Sequence, residues 1–221
     1  MFDAIAPRYD LLNHVLSAGI DTRWRARAIR SLRLTGRERV VDVCAGTADV
    51  ALQATGAARV VGVDFAAAML RIGLRKVRTA GQGSRITLVH GDATSLPLGD
   101  STVDAAAVAF GIRNVERPEL ACREMARVLR PGGRLAILEF GVPPIPGIRT
   151  LYLWYFKYLL PLIGRSLSGH SAAYSYLPAS VGTFPPPPEF ARLLERSGFA
   201  DVTADPLTFG IVYLYTAVRS R

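Results

Sequence analysis

The stretch VVDVCAGTADVAL, residues 40–52, constrains the fold more than any other part of the chain. A β-branched run breaks at small residues and resumes with helical spacing, as expected of a strand, a tight turn and a helix start. Asp42 lies within the strand. Cys44, Ala45 and Gly46 let a ligand approach the backbone, and a helix beginning near Thr47 to Asp49 turns its N–H groups outward. A second strand, ARVVGVDF, ends in Asp64, a position from which a carboxylate accepts both hydroxyls of a ribose. Together they point to a nucleoside-containing cofactor. The structural alternative is that small residues here only allow close packing of helix on sheet.

A dinucleotide fingerprint requires G-x-G-x-x-G, with glycines that bring backbone against a pyrophosphate. Here only Gly46 is glycine, Ala48 stands two residues on, and Asp49 puts a negative charge where a pyrophosphate would lie. NAD and FAD are therefore disfavoured. A cofactor with a ribose, no phosphate and a cationic or zwitterionic tail suits an acidic turn, and S-adenosylmethionine is the candidate. The tripeptide Gly91, Asp92, Ala93 adds to the case.

With 221 residues and 50% hydrophobic content, the chain can bury one good core, and one elaborated domain over 1–221 is the natural reading. Cys44 and Cys122 have no ligand-like spacing to the three histidines, so neither a disulfide framework nor a metal site is expected. This reads as a reducing, cytoplasmic compartment. The N-terminal residues carry acids and lack the basic start and apolar core of a signal peptide. The net charge of +9 is compatible with nucleic acid or an anionic membrane surface. However, the arginines scatter along helices (Arg23, Arg25, Arg27, Arg30; Arg71, Arg75, Arg78) without RNA-binding motifs or interleaved aromatics, which argues against nucleic acid.

Residues 1–34 read as two helices broken near Ser17 to Ile20, with Asp21 as N-cap of the second, covering the sheet. From there strands (39–43, 59–63, 86–90, 103–109, 133–139) alternate with helices (48–55, 66–79, 117–129), the order of a parallel doubly wound α/β sheet. A helix over 188–197 and strands 200–206 and 211–218 follow, the short connection implying an antiparallel pair. Residues 141–187 have a different texture, rich in proline and then aromatic, and are too long for a simple loop; they read as a functional cap. The prolines at 185–188 read as a rigid lead into a helix starting near Glu189.

In open α/β sheets, ligands bind at the carboxyl ends of the strands. Asp42 to Asp49, Asp64, Asp92 with Ala93, and the segment AFGIRN from Ala109 to Asn114 all fall there. Asp92 either accepts the amino group of an adenine or caps a turn. Arg113 follows a strand of small apolar residues and is expected over the cofactor site.

The blocks MFDAIAPRYDLLNHVLS, DTRWR, GVDFAAAML, GDATSLP, AFGIRNV, REMARVLRPGGRLAILEF, LYLWYFKYLLPLIG, SAAYSYLPASVGTFP and LTFGIVYLY resemble, in order, those of the ubiquinone/menaquinone biosynthesis C-methyltransferases. The resemblance implies a class I S-adenosylmethionine-dependent, Rossmann-like fold, mostly parallel with one antiparallel C-terminal strand. It also implies donor binding through Thr47, Asp64, Asp92 and Ala93, to which Asp42, Ala45, Gly46, Asp49, Phe65, Met69 and Ala109 are added as neighbours. Ala109 replaces a serine common in the family, Ala48 a glycine of G-T-G-D, and His170 an asparagine or aspartate; His170 is read as a solvated loop residue.

The implied reaction methylates a ring carbon of a polyprenylated quinol, demethylmenaquinol or the related benzoquinol, and releases S-adenosylhomocysteine. Arg113 is the first candidate for stabilising the phenolate, with Asn114, Tyr9, Tyr174 and Tyr176 as quinol contacts. Each tyrosine could equally be half-buried core. The aromatic run 151–163 is interrupted by Lys157 and Pro161 and is shorter than the ~20 residues needed to span a bilayer. It suits a hydrophobic groove for the prenyl tail, peripheral contact with the inner face of the cell membrane, or equally a cap helix on the sheet or at a homodimer interface. The competing readings are a methyltransferase for another lipophilic acceptor, a non-catalytic scaffold of the same fold, and an RNA methyltransferase.

Overall fold

The structure is a computed structural model and describes residues 17, 19–155, 158 and 180–221. Within these, helix α1 (Asp21–Ser31) precedes β1 (Arg39–Val43), α2 (Asp49–Gln53), β2 (Arg59–Asp64), α3 (Ala67–Thr79), β3 (Ile86–His90) and β4 (Val103–Ala109). A 3₁₀ turn (Ile112–Asn114), α4 (Pro118–Val128), β5 (Leu129–Phe140), α5 (Pro146–Trp154), α6 (Pro187–Arg196), β6 (Phe199–Leu207) and β7 (Val212–Arg219) follow.

The strands form one sheet in the order β3-β2-β1-β4-β5-β7-β6. All neighbours pair in parallel except those of β7, which runs antiparallel to both β5 and β6. The doubly wound sheet with one reversed C-terminal strand is thus as the sequence pattern anticipates. Val40 to Val43 and Ala105 to Val108 are buried because both faces of these central strands are covered, which is why they read as continuous small or β-branched runs rather than alternating ones. One face packs α1, α2 and α3 through Trp24, Ala28, Leu32, Ala51 and Val77. The other packs α4 and α6 through Met125, Val128, Phe190 and Leu194. Each of the larger side chains stabilises the fold by about 1.5–3 kcal/mol relative to an exposed position.

Local chemistry sets the helix starts. Pro118 and Pro187 stand in the first turns of α4 and α6, where a missing N–H costs nothing, so the proline run does lead into a helix. Two expectations are corrected. Asp21 is not an N-cap: Ile20 occupies that place, and Asp21, in the first turn, turns its buried carboxylate to Arg25 one turn on and accepts a hydrogen bond from Ser17 Oγ at 2.8 Å. β5 begins at Leu129 rather than 133, because Leu129 pairs with Val103 before the register shifts and resumes at Arg134 opposite Ala105. The helix expected before Ser17, and most of the cap beyond Tyr155, lie outside the described residues.

Two glycines bring the loops at the carboxyl end of the sheet into contact. A Cβ on Gly111 would stand 2.3 Å from Cys44 Cβ, so glycine lets the turn after β4 lie on the turn after β1. A Cβ on Gly73 would meet the Thr47 carbonyl carbon at 3.1 Å, so α3 seats directly under the same turn.

Candidate active site

The loops following β1, β2, β3 and β4 converge on a cavity of about 370 Å³. Its wall includes Ala45, Gly46, Thr47, Asp49, Asp64, Phe65, Met69, Asp92, Ala93 and Ala109, and also Asn114. Residues from four separate loops are brought together because a parallel sheet delivers every strand's carboxyl end to the same edge.

The turn after β1 is built on left-handed backbone. Cys44 (φ 57°), Gly46 (φ 53°) and Ala48 (φ 70°) alternate with right-handed or extended neighbours. Each of the two non-glycine residues costs about 1 kcal/mol there. Ala48 therefore adopts the conformation for which glycine is suited, and its methyl is fully buried against α3.

Asp64 holds this turn in place. Its Oδ2 accepts the Gly46 N–H at 2.7 Å and its Oδ1 the Ala66 N–H at 2.7 Å. Beside it, Phe65 is 77% exposed, and its carbonyl meets His90 Nε2 at 2.9 Å. An exposed aromatic beside a carboxylate on a cavity wall is suited to stacking with a base. Asp92 caps a turn, accepting the Thr94 N–H at 2.8 Å, and also lines the cavity. A Cβ on Gly46 would meet protein only at Met69 Cε, 3.8 Å away, leaving backbone open to the cavity. A nucleoside carrying a charged tail fits these walls.

Asp49 is paired with Lys76, whose ammonium also donates to Thr47 Oγ1 at 3.1 Å. Arg25 Nη1 lies 4.0 Å from the other Asp49 oxygen. In the sequence Arg25 reads as one of several helical arginines, and its place in DTRWR, one helical turn after Asp21, is the signal that sets it apart. It lines the cavity with its guanidinium carbon 5.5 Å above the Phe110 ring.

Two predicted residues stand away from the cavity wall. Arg113, expected over the cofactor site, is turned inward: its side chain is 6% exposed and ion-paired with Glu139, which is completely buried. Arg113 also donates to the Phe110 carbonyl at 2.8 Å and to Ser180 Oγ at 3.3 Å, with its guanidinium 5.2 Å over the Phe140 ring. The reason is electrostatic, since a fully buried carboxylate requires a cation. Asp42 lies beneath the β1 turn, where its Oδ2 accepts the Ala51 N–H at 3.1 Å. Tyr9, Tyr174, Tyr176 and His170 lie outside the described residues. Cys44 lines the cavity, but burial and the nearby Asp64 and Asp42 carboxylates raise its thiol pKa far above neutrality, so it is no thiolate nucleophile.

Burial also pushes Asp42 up to about 8, against an ordinary value of 3.8, and its Oδ1 has no hydrogen-bond partner among the described residues. The folded state therefore holds this proton more tightly than the unfolded chain, and the stability linked to it falls as pH rises from about 4 to about 8. Asp42→Asn removes that titration. In urea unfolding, the wild type should lose at least about 1 kcal/mol relative to Asp42→Asn between pH 5 and pH 8. Parallel pH profiles would show that Asp42 is ionised in the fold.

Comparison with known proteins agrees with this geometry. Residues 1–219 match the model of the ubiE/COQ5 methyltransferase family. A ubiquinone/menaquinone biosynthesis C-methyltransferase, UbiE, from Syntrophotalea carbinolica is 50% identical over 100% of this chain and 93% of its own length. A demethylmenaquinone methyltransferase from Thermus thermophilus is 42% identical over 99% of this chain and 100% of its own. Among solved structures, an S-adenosylmethionine-dependent methyltransferase from Thermotoga maritima has the same fold, with a TM-score of 0.68, 17% identity and 100% of both chains covered. By full-length kinship and by the architecture of its cavity, the chain belongs to the ubiE/COQ5 methyltransferase family and is an S-adenosylmethionine-dependent C-methyltransferase.

Proposed function

We propose that the methyl acceptor is a polyprenylated quinol, and that the chain converts demethylmenaquinol to menaquinol. The observation that carries this reading is the end-to-end kinship with relatives named for that chemistry, including the Thermus protein matched over its whole length. The donor supplies an electrophilic methyl on a sulfonium, which becomes the neutral thioether of S-adenosylhomocysteine. The chain must do the rest. It has to hold the ring carbon in line with that methyl, stabilise the phenolate that makes the carbon nucleophilic, and let the ring proton leave to water once the new C–C bond has formed.

Thr47, Asp49, Asp64, Phe65, Met69, Asp92, Ala93 and Ala109 hold the donor. Asn114 lines the same cavity, and its Nδ2 donates to the Phe110 carbonyl at 3.4 Å, a position from which it can contact the ring. Arg113 follows one residue earlier on the same 3₁₀ turn, and its pairing with Glu139 fixes the guanidinium. In this reading Arg113, which does not itself line the cavity, positions the turn that presents Asn114 to the ring, and Tyr9 and Tyr174 are the further candidates for quinol contact.

Helix α5 turns Tyr152 inward and leaves Leu151 65% and Trp154 51% exposed, one helical turn apart. No helix among the described residues is long and apolar enough to cross a membrane. We assign this face and the net positive charge to peripheral contact with an anionic membrane on its cytoplasmic side, where a prenylated substrate resides. Co-sedimentation with phosphatidylglycerol vesicles should weaken several-fold on changing Leu151 and Trp154 to serine. Unchanged co-sedimentation would exclude this face.

Removal of Arg113 alone strands a buried carboxylate and should cost about 3–5 kcal/mol of stability. The informative variant is Arg113→Gln with Glu139→Gln, which removes both charges. It should bind S-adenosylhomocysteine as the wild type does and lose about a hundredfold or more in turnover of demethylmenaquinol, followed as the methylated product by mass spectrometry. Normal turnover would remove Arg113 from the mechanism. Turnover of the demethylated benzoquinol in place of the naphthoquinol would redirect the acceptor to the ubiquinone pathway.

A further inference from the structure

The cavity has two chemically different walls. Asp64 and Phe65 contact Gly46, Ala66 and His90, and suit a nucleoside. The other wall carries Thr47 and Asp49 from the turn after β1 and Arg25 from α1. We propose that Arg25 is the receptor for the amino-acid carboxylate of the methyl donor, with Asp49 receiving the ammonium group beside it. The inference rests on the assignment of S-adenosylmethionine as donor and goes beyond it, because it gives the N-terminal helix a binding role.

Three observations carry it. Arg25 reaches the cavity with a side chain only 7% exposed, so an anion meeting it there is largely shielded from water. Its Nη1 is committed to Asp21, whereas its Nε and Nη2 donate to no atom among the described residues and are not sealed off as buried unsatisfied atoms. Those two N–H groups form the planar edge that a guanidinium presents to a carboxylate. Finally, both signs of charge stand side by side on this wall, Arg25 Nη1 lying 4.0 Å from an Asp49 carboxylate oxygen, so the carboxylate and ammonium of one amino acid each find an opposite charge. The Phe110 ring beneath the guanidinium, 5.5 Å from its carbon, and the ion pair to Asp21 hold Arg25 in this orientation.

Calorimetric binding of S-adenosylhomocysteine and of its decarboxylated analogue tests the assignment without turnover. The wild type should prefer the carboxylated ligand by about ten- to a hundredfold. In Arg25→Gln that preference should collapse, with the affinity for S-adenosylhomocysteine falling and that for the decarboxylated ligand nearly unchanged. Because Arg25→Gln leaves Asp21 buried without its cation, the same comparison is made with Asp21→Asn/Arg25→Gln, which removes the pair together, and the same collapse is expected. Equal weakening of both ligands would make Arg25 purely structural and overturn the inference. So would unchanged donor binding with a raised KM for the quinol, since Arg25 would then serve the acceptor. Failure of the wild type to bind S-adenosylhomocysteine at all would overturn the donor assignment and this inference with it.

Discussion

The carboxylate of Asp64 is the constraint on which the site depends. It sits at the end of β2 and accepts backbone N–H groups from the turn after β1 and from the start of α3, tying two loops into one wall. Hydrogen bonds to a charged acceptor contribute about 1.5–3 kcal/mol each. That is enough to offset the left-handed backbone at Cys44 and Ala48, which costs about 1 kcal/mol per residue. Without this tie the strained turn would have no reason to present Gly46 to the cavity. The carboxylate proposed to meet the ribose thus also shapes the turn proposed to meet the rest of the ligand, so that reading makes binding and local architecture one interaction.

A second anchor is an aromatic cluster of which Arg25 and Phe110 line the cavity. Phe110 and Phe140 stack with centroids 4.6 Å apart, Trp24 meets both edge-on, and one guanidinium covers each ring, Arg25 over Phe110 and Arg113 over Phe140. The cluster joins α1, the turn after β4 and the end of β5. Both cations are matched by buried acids, Asp21 and Glu139. Breaking either pair leaves a charge in a low-dielectric interior, so the cluster resists piecemeal change and holds both arginines rigidly, Arg25 on the cavity wall and Arg113 away from it. The same rigidity fixes the turn after β4, which carries Asn114 on the cavity wall.

Much of this was legible in the chain. The parallel strands announced themselves as apolar runs because both faces of the sheet are covered, and their acids marked the carboxyl ends where ligands bind. Ten of the eleven proposed donor contacts line the cavity; Asp42 does not, because its position in the strand directs it under the turn toward Ala51. The orientation of Arg113 was not legible. Its backbone position is correct, but its side chain follows the buried Glu139, twenty-six residues away, and no local pattern reports such a partner. Arg25 is hidden in the sequence for the converse reason: a helical arginine looks like surface until the fold brings Asp49 and Phe110 to it. Asp21 had the chemistry of a cap, but a buried ion pair outcompeted that role.

The most direct measurement is the affinity of Asp64→Asn for S-adenosylhomocysteine by calorimetry, with circular dichroism to follow the fold. The amide keeps the shape of the carboxylate but loses its charge and replaces one acceptor with a donor. The account predicts a retained sheet, a loss of about 1–3 kcal/mol in stability as the β1 turn loosens, and a fall in affinity of about a hundredfold or more. Wild-type affinity in Asp64→Asn would contradict it, because the ligand would then be held without the group that orders the turn and faces its ribose.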